Sequence, residues 1–76
     1  MALVREFKPK SMERNSIHDE IDATYTVFER DDRVFVQIDS YGRPDREKPN
    51  SKSQTIQLDE SGARQLVQIL KGAFRL

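Results

Sequence analysis

Residues 23–40 read Ala-Thr-Tyr-Thr-Val-Phe-Glu-Arg-Asp-Asp-Arg-Val-Phe-Val-Gln-Ile-Asp-Ser, and their pattern decides the fold. Both arms are rich in β-branched and aromatic residues, which favours two strands joined at Asp31-Asp32. Aspartate tolerates the left-handed backbone of a tight turn. Closing the hairpin there sets the register: Arg30 opposite Arg33, Glu29 opposite Val34 and Phe28 opposite Phe35. Side chains alternate across a strand, so Tyr25, Val27, Val36 and Ile38 form a core face. The other face holds Thr24, Thr26, Gln37 and Asp39, a Phe28–Phe35 pair and two arginines.

Working outward, residues 41–52 carry Gly42, Pro44, Pro49 and Asn50 and predict a loop. Its basic side chains are Arg43, Arg46, Lys48 and Lys52. A loop of this length is commonly functional, and the plain alternative is a solvated connector. Residues 53–58 alternate Gln54, Ile56 and Leu58 with Ser53, Thr55 and Gln57, predicting a third strand. Asp59 then stands as N-cap of a helix over residues 60–74, with Glu60 at the positive end of its dipole. Ala63, Leu66, Val67, Leu70, Ala73 and Phe74 make one buried stripe, with Gln65, Gln68 and Lys71 pointing away and Ile69 as a subunit contact. Gly62 disfavours a helix by about 1 kcal/mol relative to alanine, which implies close packing or a frayed start.

Residues 1–22 form an N-terminal segment, partly flexible, in which Leu3, Val4 and Phe7 suit a short strand or an apolar anchor. Ser16 with Asp19 and Glu20 resembles a capping box, with Ile17 and Ile21 on one face of a short helical turn. His18 beside Asp19, Glu20 and Asp22 makes a poor metal site, because zinc wants more nitrogen or sulfur ligands. With no cysteine, disulfides and thiolate metal sites are excluded. No metal or other cofactor is therefore expected.

The expected architecture is a single α+β domain: a small antiparallel sheet of three to four strands with one C-terminal amphipathic helix across a face. A 76-residue chain with 36% hydrophobic and 34% charged residues builds a thin core. Such domains compensate by association, so a homodimer is expected. No apolar run approaches the ~20 residues of a membrane span and no signal peptide opens the chain. The expected location is the cytoplasm, or the nucleoid if the source is bacterial.

Thirteen basic and thirteen acidic residues cancel, so distribution matters more than net charge. Residues 19–32 hold six acids and one arginine, whereas residues 40–53 hold four basic residues against two acids. Catalysis finds no support: phosphate loop, nucleophile elbow and histidine dyad are all missing. Pro44-Asp45 and Glu47-x-Pro49 echo nuclease motifs faintly, but the following strand lacks their second acid and lysine. No small-molecule substrate is expected.

The Phe28–Phe35 pair has two readings. In one, Leu3, Val4 and Phe7 or a second subunit cover it, as in a sheet buried on both faces. In the other it is a stacking platform, where aromatic rings hold unpaired bases at about 1–3 kcal/mol each. Arg30 and Arg33 repel across the same face, and a phosphate between them would relieve that repulsion. The rival from another class is a protein-interaction module, a regulatory subunit or inhibitor using the same patch with residues 19–32 as its acidic rim.

The order of elements resembles a family. Arg33-Val-Phe-Val-Gln-Ile-Asp-Ser-Tyr41, then Lys48-Pro49 and Lys52 leading into Thr55-Ile-Gln-Leu-Asp-Glu60, then Gln65-Leu66, are similar to the positive-cofactor-four type of transcription coactivator and its bacterial relatives. Those are small dimeric proteins that bind single-stranded DNA. The resemblance spans residues 24–74. It departs in a longer approach to the third strand, a serine in place of a glycine there, and a chain that is not basic overall. It implies that Tyr41, Arg43, Arg46, Lys48 and Lys52 contact backbone and bases, while the helix helps form the dimer. Joined to the stacking platform of Phe28, Arg30, Arg33 and Phe35, it implies sequence-tolerant binding of single-stranded DNA, or of RNA after it.

Overall fold

The computed structural model describes residues 1–41 and 52–76. Its elements in chain order are β1 (Ala2–Val4), β2 (Ala23–Arg30), β3 (Arg33–Tyr41), β4 (Lys52–Leu58) and α1 (Glu60–Phe74). One four-stranded sheet runs β1-β4-β3-β2. The hairpin closes in the expected register, with Phe28 opposite Phe35 and Arg30 opposite Arg33. Asp31 and Asp32 take φ of 53° and 60°. Positive φ at both turn residues matches the right-handed twist of the flanking strands.

Strands β2, β3 and β4 are antiparallel, as the alternation predicts. The fourth strand makes the sheet mixed: β1 lies parallel to β4, with Leu3 opposite Gln57 and Val4 opposite Leu58. A register shift after Ser40 lets Tyr41 face Lys52 at the far end of β3. The helical turn expected over residues 16–21 is not formed; those residues have no regular structure. A six-residue segment is too short to hold a helix without packing, and Ile17 is fully exposed.

Helix α1 begins as its sequence predicts. Asp59 accepts the Gly62 amide at 2.9 Å through Oδ1, which satisfies an orphan donor of the first turn. Glu60 lies in the first turn and Lys71 in the last, each at the favourable end of the dipole. Gly62 is buried, and a Cβ there would collide with the Val4 carbonyl oxygen. Its role is therefore close packing. Residues 5–7 are tied to the same turns: Gln65 Nε2 donates to the Arg5 carbonyl at 3.0 Å, and the Phe7 amide donates to Gln65 Oε1 at 2.8 Å. Gln65 thus turns toward the N-terminal segment and not away from the protein.

Beyond this contact the helix leaves the sheet instead of crossing it. Ala63 and Leu66 are half-buried, while Val67 and Leu70 are exposed and Phe74 is 69% exposed. The matching sheet face is also open: Val27 and Ile56 are exposed and Tyr25 is 76% exposed. Among the described residues only Leu58 is a buried large hydrophobe. Two apolar surfaces, one on the sheet and one on the helix, face solvent within one chain. Among the described residues no helix is long and apolar enough to cross a membrane.

Candidate nucleic-acid interface

The face opposite that apolar surface carries the candidate site. Alternation along β2 and β3 brings Phe28 and Phe35 together as a cross-strand pair. Their ring centroids are 5.4 Å apart with planes inclined by 24°. Both rings are half-buried. Part of that burial is mutual, and part comes from Arg33, whose guanidinium carbon stands 4.9 Å from the Phe35 centroid. Cation–π contact of this kind is attractive, so Arg33 covers part of the Phe35 ring. The platform therefore consists of two phenyls and one guanidinium.

Arg33 does not wait for a phosphate as the sequence reading expects. Its Nη2 lies 3.3 Å from Asp59 Oδ2, and Arg5 Nε lies 3.2 Å from the same oxygen. The Asp59 side chain is only 6% exposed, whereas the Arg33 side chain is 54% exposed. The Gly62 amide holds the Asp59 carboxyl below the usual carboxylate range. Burial opposes that shift, and the nearby Arg5 and Arg33 charges reinforce it. Arg33 thus already has a counter-charge within the chain. Among the described residues Arg30 has no ion-pair partner.

Further along β3 the face turns polar. Gln57 Nε2 donates to Gln37 Oε1 at 2.9 Å, and Gln37 Nε2 donates to both Asp39 oxygens at 3.2 and 3.1 Å. Thr55 Oγ1 donates to Asp39 Oδ1 at 2.6 Å. Asp39 is 3% exposed, and these donors offset its desolvation. Leu3, Gln37, Thr55 and Gln57 border a hollow of about 360 Å³. Sequence reasoning missed this relay. Its signal is visible once strands are paired: polar residues at 37 and 39 face polar residues at 57 and 55.

Tyr41 ends the same strand, its hydroxyl 3.0 Å from Thr24 Oγ1. It lies six positions beyond Phe35, a span of about 20 Å along an extended strand. The structure thus brings Phe28, Arg30, Arg33 and Phe35 together at the hairpin end and places Tyr41 and Lys52 at the other. Arg43, Arg46 and Lys48 lie outside the described residues.

No family model matches the chain, and neither a curated protein nor a solved structure does.

Proposed function

We propose that this chain is a binding protein for single-stranded nucleic acid, DNA before RNA, and not an enzyme. The observation that carries the reading is the Phe28–Phe35 stack with Arg33 over it, on a sheet face that also holds Arg30, the Gln37 and Gln57 amides, threonine hydroxyls, the Asp39 carboxylate and, on β1, Leu3. A face that only needed covering has no use for such a row of hydrogen-bonding groups. Unpaired bases supply both a ring to stack and polar edges to bond. The strand would run along β3, from the arginines and phenyls at the hairpin toward Tyr41 and Lys52, between which the sequence carries Arg43, Arg46 and Lys48. An accessory role in transcription or DNA maintenance, in the cytoplasm or on a bacterial nucleoid, fits this chemistry.

The working unit in this reading is a homodimer. Val67, Leu70 and Phe74 on the helix, and Tyr25, Val27 and Ile56 on the sheet, are exposed together. A second copy covers both surfaces if each helix lies on its partner's sheet. In this reading self-association would account for that apolar exposure and leave free the Phe28–Phe35 face, which the rival interaction module would also use. The test is a fluorescence-anisotropy titration of the protein with labelled oligo-dT at low salt, beside a duplex of equal length. Binding of the single strand with much weaker binding of the duplex is expected. Absence of single-strand binding at low salt retires the reading.

A further inference from the structure

We infer that Asp59 acts as an internal anion that competes with nucleic-acid phosphate for Arg33 and Arg5, a brake built into the binding face. The inference rests on the single-strand reading above and adds to it a mechanism that limits affinity.

The geometry is asymmetric in a way that isolates this role. Asp59 Oδ1 is committed to the Gly62 amide at 2.9 Å, as the helix cap. Oδ2 alone receives both guanidinium groups, Arg5 at 3.2 Å and Arg33 at 3.3 Å. Two cations share one oxygen, leaving the cluster with a net positive charge and spare N–H donors. The carboxylate is sequestered while the arginines are mostly exposed. A phosphate approaching the Phe35 end of the face meets Arg33 already engaged. Taking its full charge means breaking the contact to the residue that starts helix α1. Exposed ion pairs of this type are weak, so the brake lowers affinity without abolishing it.

An ionised carboxylate accepts at both oxygens, whereas an amide accepts at one and donates at the other. In Asp59→Asn the oxygen stays with Gly62, because that cap bond needs an acceptor. The new NH₂ then points at two guanidinium donors and expels both. Asparagine caps helices as well as aspartate does, so the helix start is retained. Asp59→Ser is the second variant: its hydroxyl can cap but is too short to reach the arginines.

The experiment is the oligo-dT titration repeated across a salt series for wild type, Asp59→Asn, Asp59→Ser and Asp59→Asn/Arg33→Ala, with helix content followed by circular dichroism. At low salt the single variants should bind about 2- to 5-fold more tightly per released arginine. The log–log salt slope should steepen by about 0.7 for each arginine that gains a phosphate. Adding Arg33→Ala should remove its share of that gain. Wild type binding with unchanged affinity and slope in the folded Asp59 variants overturns the brake but leaves the binding function standing. Weaker binding by folded Asp59 variants overturns it too, because Asp59 would then be orienting Arg33 for the ligand. Binding by the variants alone overturns a brake that only lowers affinity, and with wild type silent at low salt it retires the binding function as well. Silence in all four proteins overturns the brake and the function together.

Discussion

Gly62 and Val4 meet backbone to backbone: a Cβ added at Gly62 would come within 3.2 Å of the Val4 carbonyl carbon and overlap its oxygen. This contact holds α1 against β1, since the helix has few others with its own sheet. In Gly62→Ala the helix gains about 1 kcal/mol of intrinsic preference. Overpacking against rigid backbone costs about 1–3 kcal/mol, and the loss should win. The expected result is a lower urea midpoint than wild type; a higher one would mean that the contact yields easily.

Acid should act through Asp59. Its folded-state pKa lies below that of an unfolded aspartate, chiefly because of the Gly62 amide and with help from Arg5 and Arg33. A depressed carboxylate contributes stability above its unfolded pKa, about 3.9, and loses it as pH falls through the lower folded value. Chemical denaturation from pH 6 down to pH 2 should show a steeper decline for wild type than for Asp59→Asn. Parallel curves would count against this assignment.

Phe35→Ala removes the ring that Phe28 stacks on and Arg33 covers. Oligo-dT affinity should fall by the equivalent of about 1–3 kcal/mol, with a cooperative thermal transition retained because the ring is only half-buried. Collapse of the transition would instead identify the pair as core.

The number of phosphates engaged can be read from salt. About four contacts per subunit, at about −0.7 each for single strands, give a log–log slope near −3. Affinity independent of salt would remove the cationic half of the proposed interface.

Association should depend on the helix stripe. Leu70→Asp and Val27→Asp place a charge on each of the two exposed apolar surfaces, and each should convert a dimer to a monomer in sedimentation. A wild-type chain that sediments as a monomer at high concentration refutes the dimer.

The hairpin was legible because its information is local: two aspartates and alternating arms set a register that the structure repeats residue for residue. The helix was legible for the same reason, through Asp59 and the 3.6-residue stripe. What could not be read depends on distant partners. Arg5 reaches Asp59 across 54 positions and Arg33 across 26, and no periodicity encodes which cation an N-cap will attract. The parallel pairing of β1 with β4 is equally non-local. The short turn over residues 16–21 failed in the opposite sense, since its local signals had no packing to support them.

The relay from Gln57 through Gln37 to Asp39 has an orientation imposed at one end. A carboxylate cannot donate, so neither amide is at liberty to swap its oxygen and nitrogen. The sheet surface consequently has a head and a tail, and a polymer with its own chemical direction meets different edges according to which way round it is laid.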